Sequence, residues 1–582
     1  MPKNSDLNRV AAVVLRFTRG PVLVIVVVYA IGIIGMALMP GLDAEGNPHR
    51  MSLFHAFYFF TYTATTTGFG EIPHGFTDEQ RLWTIVCLYM GVVAWLYAIG
   101  SIIKLAQNPF LVNAIAERRF ARSVEQIGSP FYIVCGFGDT GSLLTRGFSD
   151  HGIMAVVIDA DEERIKALAL RDYRDRIPGL CADASVPKHL VAAGISLTNC
   201  IGVVALSPNE DLNLKITVMT KFLNPAAQVI CRASSTGQQQ HLEAMEGVTV
   251  INPFELFATQ LGLAVSAPQL YGLNEWFVGA SGVKLGKLNT VRQGPWILCG
   301  YGRMGSCIQR EFAAQNIATT IIDPEVEDIA EDQHVIHGHA DAKTLAEAHM
   351  EKAAGLVVGT DSDTSNLDIL LSAQRFKSDA FLIVRQNQHD NELAFNAAEV
   401  DLIMQQSLVT ARSVLMRLIA PILSTVIEEL KTLEPSITAD LVMRLQQSFA
   451  EEAPKLISVT VGEDTPAIIE VNGKGLQPRI EDIIRDPSEL TSELACVPLA
   501  LKRNSTTMVL PASAQALQLG DTLLFCATSG DARRVLITLK NSRRLNYLIT
   551  GYEEPAGLVF KWLTQRLPRI KQIARCLDGP IP

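Results

Sequence analysis

Ten cysteines are present, yet none forms a Cys-x-x-Cys pair and none stands at metal-ligand spacing from a histidine. That pattern excludes a zinc-organised fold, and the thiols read as reduced core residues of a cytosolic part. No stretch forms an arginine-rich helix, which excludes a voltage-sensing segment. The formal net charge is −10, which argues against nucleic-acid binding. Charge is missing altogether from two long runs, Gly20 to Leu42 and Leu82 to Ile103. A bilayer core needs about 20 apolar residues in helical form, so both qualify as spans. The first exceeds the apolar region of a cleaved signal peptide, and no small-residue cleavage site follows it. The length of 582 residues leaves room for about three or four domains. Hydrophobic residues at 48% and charged residues at 19% suit a soluble globular part joined to a membrane part.

Between the two runs, Met51 to Gly70 is uncharged apart from His55. Hydropathy alone allows a third span there. However, Thr61, Thr63, Thr65, Thr66, Thr67, Gly68 and Gly70 crowd its C-terminal half. Non-helical backbone is tolerated at membrane depth only where protein or water meets it. A half-helix that returns as an extended loop is therefore expected. Lys3, Arg9, Arg16 and Arg19 precede the first run, and Lys104, Arg118, Arg119 and Arg122 follow the second. The connecting segment carries only Arg50 and Arg81. The positive-inside rule then places both termini in the cytoplasm and requires an even number of crossings.

Thr66-Thr67-Gly68-Phe69-Gly70 resembles the Thr-Val-Gly-Tyr-Gly filter of potassium channels, and residues 20–105 as a whole resemble a two-transmembrane channel of that family. The resemblance implies a homotetramer in the lipid bilayer, because one chain supplies one loop. It implies K+ as the permeant ion, with carbonyls and a threonine hydroxyl replacing its water shell. Inward-pointing carbonyls need backbone angles that glycine adopts freely. Phe69 departs from the family's Tyr and Glu71 from its Asp. The missing hydroxyl removes a hydrogen bond that often braces the filter, which bears on strict potassium selectivity. Gly91 falls at the family's inner-helix gating hinge, with close helix packing as the alternative. Gly100 lies nearer the cytoplasmic mouth. Lys104 to Ser129, with Pro109 and the basic run Glu117 to Arg122, reads as a linker.

Downstream, the apolar run Phe131 to Cys135 leads into Gly136-Phe137-Gly138-Asp139-Thr140-Gly141. A helical pattern continues to about His151, and the next apolar run ends at Asp159. This is the strand–turn–helix–strand setting that a dinucleotide fingerprint requires. The glycines allow a tight turn and close approach of a pyrophosphate, the helix N-terminus attracts the anion, and Asp159 can hold ribose hydroxyls. The design recurs as Trp296 to Cys299, Gly300-Tyr301-Gly302-Arg303-Met304-Gly305 and Asp323. Gly136 to Gly300 and Asp159 to Asp323 are each 164 positions apart. Asn213 with Asn366, and Arg232 with Arg385, are each 153 apart. Two fingerprints in register, each with its acid, predict tandem Rossmann units.

These units resemble RCK domains (the TrkA-N type) over 130–290 and 294–450, and the whole order resembles bacterial tandem-RCK potassium channels of the GsuK type. The expected fold is a membrane α part, two transmembrane helices with a re-entrant pore loop, followed by α/β. The α/β part comprises two Rossmann-like RCK domains and a small α+β TrkA-C-like lobe. The resemblance implies a cytosolic gating ring and puts Asp183 and Asp341 at the adenine side. It also assigns Phe254 to Val265 and Leu408 to Leu430 to crossed helices that pair neighbouring domains. Arg303 in the second loop favours added phosphate charge, whereas Asp139 in the first opposes it. The first site is thus expected to prefer NAD and the second ADP or ATP. Divalent-cation sites, calcium among them, occur at interfaces in the family, and Glu210 and Asp211 are weak candidates by proximity to a loop.

The expected boundaries are 1–19 for the cytoplasmic N-terminus, 20–104 for the pore domain, 105–129 for the linker, 455–530 for the lobe and 531–582 for a basic tail. The phrase Leu517 to Phe525 carries the lobe's resemblance. The tail holds ten Lys and Arg against four Asp and Glu, and Leu558 to Leu577 reads as an amphipathic helix on the ring or at a membrane surface. The expected function is a nucleotide-gated potassium channel of the inner membrane, not an enzyme. One alternative is a membrane-anchored nucleotide-sensing regulator of another potassium transporter. A second, an NAD-dependent oxidoreductase, lacks support, since no Tyr-x-x-x-Lys occurs and no histidine is evidently placed by either glycine loop.

Overall fold

The computed structural model describes residues 5–278, 292–326, 333–376, 378–449, 454–462, 465–504 and 506–552. They divide into two compact units between Ile127 and Gly128. The expected tail helix, Leu558 to Leu577, lies outside the described residues.

The first unit contains helices α1 (Ser5–Leu38), α2 (Leu53–Ala64), α3 (Asp78–Ala106) and α4 (Pro109–Glu125). Two segments, Val14–Leu38 and Asp78–Ala106, are long and apolar enough to cross a membrane. At 1.5 Å per residue, α2 is only about 18 Å long against a hydrocarbon core of about 30 Å. It therefore cannot span, and the chain after it turns back, as the threonine–glycine cluster predicts. Ser52 caps α2 by accepting the His55 amide at 3.3 Å. Small residues set the packing. The Phe60 ring occupies the place of a side chain at Gly32, and Trp83 does the same at Gly35 while its indole N–H donates to the Gly32 carbonyl at 3.2 Å. Met36, Ala56, Phe59, Phe60, Phe76 and Cys87 close a buried cluster around α2. Leu23, Val26, Leu82, Val93 and Leu96 stay exposed along α1 and α3, as expected of surfaces that face lipid or another subunit.

The second unit holds two six-stranded parallel sheets. The first is β1 (Phe131–Cys135), β2 (Met154–Asp159), β3 (Gly179–Cys181), β4 (Cys200–Ala205), β5 (Gln228–Arg232) and β6 (Val248–Ile251), in spatial order β3-β2-β1-β4-β5-β6. The second is β7 (Trp296–Cys299), β8 (Thr319–Asp323), β9 (His334–His337), β10 (Gly355–Val358), β11 (Phe381–Gln386) and β12 (Leu402–Gln405), in order β9-β8-β7-β10-β11-β12. Both are the doubly wound order, whose ligand crevice opens where the strand order reverses, beside β1 and β7. Their central strands are buried on both faces, so they read as unbroken apolar runs.

The copies exchange helices. Call α5 (Asp139–Asp150) and α8 (Arg303–Ala314) the helices that follow the two glycine loops, α6 (Pro253–Ser266) and α7 (Pro268–Phe277) those after β6, and α9 (Gln406–Ile419) the one after β12. Phe254, Phe257, Leu261 and Val265 of α6 pack into the second copy's core with Trp296, Ile308 and Phe312. Leu415 of α9 packs on the first copy's α5, and a Cβ on Gly147 would lie 2.7 Å from it. Conversely, a Cβ on Gly262 of α6 would lie 2.6 Å from Glu311 of α8. Each crossing is thus closed by a glycine. The segment expected at Leu408 to Leu430 is broken after Ile419, where Pro421 interrupts it, and resumes over Leu423–Thr432.

The C-terminal lobe is an antiparallel sheet of Lys455–Thr460, Thr522–Ala527, Cys496–Arg503 and Thr506–Val509, in that order. Its core continues beyond the expected boundary at residue 530. Helices Ser529–Lys540 and Ser542–Thr550 bury Ala532, Val535, Leu539 and Leu545 against Ile468, Val471 and Ile483. The basic residues there lie opposite an apolar stripe at helical spacing, which docks both helices.

Candidate functional site

In the first unit the loop after α2 has an unusual backbone. Thr66 takes φ 59°, Gly68 69° and Gly70 90°, whereas Thr67 and Phe69 keep ordinary negative φ. Positive φ at alternate residues sets this stretch apart from both helix and strand. A threonine at positive φ is a strained outlier that the surroundings must hold. Those surroundings centre on Tyr62. Its carbonyl accepts the Thr67 amide at 2.8 Å, and its hydroxyl donates to the Gly70 carbonyl at 2.6 Å. Tyr62 meets the Phe69 ring edge-on at 5.6 Å, and Tyr58 stacks on that ring at 6.3 Å. A hydroxyl from the helix side thus ties down the backbone next to Phe69. Just past the loop, Glu71 pairs with Arg81 at 2.9 Å and accepts the Phe76 amide at 2.8 Å. The C-terminal end of α2, with its partial negative charge, abuts the loop. Gly91 lies inside unbroken α3, where a Cβ would come within 2.9 Å of Ala64 at the end of α2. Close packing is its visible role.

In the second unit both glycine loops have the fingerprint geometry. Gly136 and Gly300 take φ 101° and 97°. A side chain on Gly141 or Gly305 would run into the carbonyl of Gly136 or Gly300. Asp159 accepts the Phe137 amide, and Asp323 the Tyr301 amide at 2.7 Å. Beyond this frame the copies diverge. Beside Gly138 stands the Arg164 guanidinium, which pairs with Asp159 at 3.6 Å and Asp161 at 3.5 Å. Beside Gly302 there is open space, part of a cavity of about 960 Å³. Gly300, Tyr301, Gly302, Arg303, Met304 and Asp323 line it, as do Arg385 and, from the first copy, Arg232 and Phe254. Arg303 lies over the Phe254 ring at 4.8 Å. Burial, then the nearby charge of Arg303, pulls the Arg232 guanidinium below its usual range. Burial also lowers Arg385, against the attraction of Asp361 and Asp363.

Residues 21–108 match the ion channel family model, and residues 132–253 and 296–406 each match the TrkA-N domain model. The chain carries one ion-channel domain and two TrkA-N domains. Similar proteins include the probable potassium channel protein 2 of Methanocaldococcus jannaschii, 24% identical over 34% of this chain and 57% of the relative. The voltage-gated potassium channel Kch of Escherichia coli is 26% identical over 38% of this chain and 51% of the relative. The chain thus spans about half the length of these relatives. A solved structure of the GsuK channel bound to NAD aligns with 91% of this chain and 99% of its own, at 15% identity and a TM-score of 0.43.

Within the TrkA-N domains several candidate residues are engaged elsewhere. Asp341 caps the helix Ala342–Glu347 by accepting the Lys343 and Thr344 amides at 2.9 Å, and the Thr344 amide foremost holds its carboxyl below the ordinary value. It does not line the cavity; the neighbouring Gly338, His339 and Ala340 do. Asp183 accepts the Ser185 amide at 2.8 Å in the corresponding turn. Glu210 takes amide and hydroxyl hydrogen bonds from Ser234 and Ser235, and Asp211 accepts from Gln238 at 3.0 Å. Burial opposes the charge of Glu210, yet those bonds outweigh it and lower its pKa. Among the described residues, no group of three His, Cys, Asp or Glu side chains is placed to hold a metal ion.

The repeated asparagines also acquire a role that their spacing did not disclose. Asn213, fully buried, bonds the Ser207 amide at 3.0 Å and the Ser207 and Arg232 carbonyls at 2.8 and 2.9 Å. Asn366 bonds the Thr360 amide at 3.1 Å and the Thr360 and Arg385 carbonyls at 3.2 and 2.8 Å. Each asparagine fixes the backbone of the arginine at the end of the neighbouring strand.

Proposed function

We propose that this chain is the subunit of a potassium channel of the inner membrane, a homotetramer with both termini cytoplasmic, whose TrkA-N domains open or close the pore on binding nucleotide. The observation that carries this reading is the alternation of φ over Thr66 to Gly70, between two membrane-length helices and at the end of a helix too short to span. Thr66, Thr67, Gly68, Phe69 and Gly70 form the filter. The Gly70 carbonyl is engaged by Tyr62, so the carbonyls of Thr66 to Phe69 are left to face K+. Gly91 acts through its packing on the filter helix, with Gly91 as a bend point the alternative reading.

In the cytosolic part the first loop (Gly136, Phe137, Gly138, Asp139, Thr140, Gly141, Asp159) takes NAD, because Asp139 disfavours added phosphate charge. The second loop takes ADP or ATP, because Arg303 favours it. Bound nucleotide shifts the gate only as far as its affinities for open and closed states differ. Neither loop is assigned a catalytic step. The test is potassium flux in liposomes with Gly68→Ser. A Cβ at Gly68 meets nothing within 4 Å, so the substitution acts through backbone strain at φ 69°. Four strained loops per filter are expected to abolish flux. Regulated flux that survived would favour the reading as an anchored regulator of another conductor.

A further inference from the structure

The cavity beside the second glycine loop is crossed by the seam between the two copies. Arg232 and Arg385 occupy equivalent positions in the repeat, each at the end of its fifth strand or one residue short of it, and both line this one cavity. Arg303, between them in charge terms, acts on both. None of the three guanidiniums has an ion-pair partner among the described residues. The Arg385 Nε is buried with no hydrogen-bond partner, while its Nη1 and Nη2 reach only the Gly359 carbonyl at 3.5 Å and the Gln406 amide oxygen at 3.3 Å. Like charges gathered in a partly desolvated space are costly unless an anion completes the set.

Strand order sorts the cavity chemically. Asp323 ends β8, one strand to one side of the glycine loop after β7, and Arg385 lies near the end of β11, two strands to the other side. At about 4.8 Å per strand the two are roughly 14 Å apart across the sheet. A ribose at Asp323 and a pyrophosphate at the N-terminus of α8 would direct the ligand's far end toward Arg385 and Arg232. A cationic nicotinamide ring is a poor match for guanidinium groups, whereas a terminal phosphate is a good one. Asp361 and Asp368 share this wall, and Asp361 with Asp363 attracts Arg385 without closing an ion pair among the described residues.

We infer that this cavity is a polyphosphate site shared by both copies, in which Arg232 of the first and Arg385 of the second hold the terminal phosphate of a nucleoside triphosphate. The inference rests on the reading of the second loop as an adenine-nucleotide site. It makes Arg232 a specificity-determining residue contributed across the seam, and it makes triphosphate binding clamp one Rossmann copy to the other.

The test is titration calorimetry of the full chain in detergent micelles with ATP, ADP and AMP. The wild-type chain is expected to bind ATP about tenfold or more tightly than ADP. Arg232→Gln is expected to remove most of that preference while leaving ADP within about threefold. Arg232→Lys, which keeps the charge and loses the fork, is expected to fall between and serves if the glutamine variant misfolds. Equal affinity for ATP and ADP in the wild type, or equal weakening of both by either variant, would overturn the shared site alone. If no adenine nucleotide binds the wild-type chain, the nucleotide reading of the loop falls and the inference with it.

Discussion

The two Rossmann copies have the same strand order, the same positive-φ glycine and the same aspartate bonded to the loop amide, yet the space above their loops differs. In the first, the Arg164 guanidinium stands beside Gly138 and pairs with Asp159. In the second, Gly302 faces an open cavity and the cation is carried by the loop itself, at Arg303. The two crevices thus differ in a few side chains on a shared frame. The exchange of α6 and α9 adds a further asymmetry, because Arg232 and Phe254 of the first copy reach the second copy's cavity.

The comparison breaks most sharply at the glycines whose Cβ has no room. Gly141→Val and Gly305→Val are each expected to lower nucleotide affinity more than about 100-fold at their own copy and to spare the other, read by titration with NAD and ATP. Loss of both ligands from either variant would contradict two independent sites. Next in size are the buried asparagines. Asn213→Ala and Asn366→Ala each strand buried backbone groups at about 1–3 kcal/mol apiece. Unfolding of the purified chain should show a similar loss of about 3 kcal/mol for both, since their hydrogen-bond sets correspond. A several-fold disparity would deny that equivalence.

Exchanging loop charges should give a smaller effect. Asp139→Arg and Arg303→Asp are expected to shift the preference between NAD and ADP by about tenfold, in opposite directions. Unchanged preferences would remove the basis for assigning different ligands. The smallest effect concerns acid. Glu210 and its counterpart Asp363 are both held below their ordinary pKa by hydrogen bonds that outweigh burial. A depressed carboxyl contributes stability above its unfolded pKa, near 4, and loses it as pH falls through the folded value. Thermal unfolding from pH 6 to pH 3 should therefore fall less steeply in Glu210→Gln than in the wild type. Parallel curves would show that Glu210 contributes nothing to the acid limb.

Much of this frame was legible from spacing. The 164-residue interval between glycine loops and the aspartate ending each second strand located both crevices. The threonine–glycine cluster after Ala64 forecast a turn back instead of a span, because backbone chemistry there outweighs hydropathy. What escaped depends on which contacts the folded backbone makes, near in sequence as well as far. Asp341 resembles its family position, yet a nearby helix N-terminus claims its carboxylate. No motif singles out Tyr62, and only the fold brings its hydroxyl to Gly70. The repeat marked Arg232 without indicating that it lines the other copy's cavity, since helix exchange leaves no local periodicity. The lobe's last two helices share the basic composition of residues 531–582, and only their packing assigns them to the lobe.

Potassium efflux from liposomes holding the intact chain, with ATP, ADP, NAD and calcium added one at a time, is the most direct measurement. Efflux that is selective for K+ over Na+, altered by at least one nucleotide and lost in Gly68→Ser is the expected result. Efflux indifferent to every nucleotide, or absent from wild-type liposomes under all four additions, would contradict a nucleotide-gated pore built on Thr66 to Gly70.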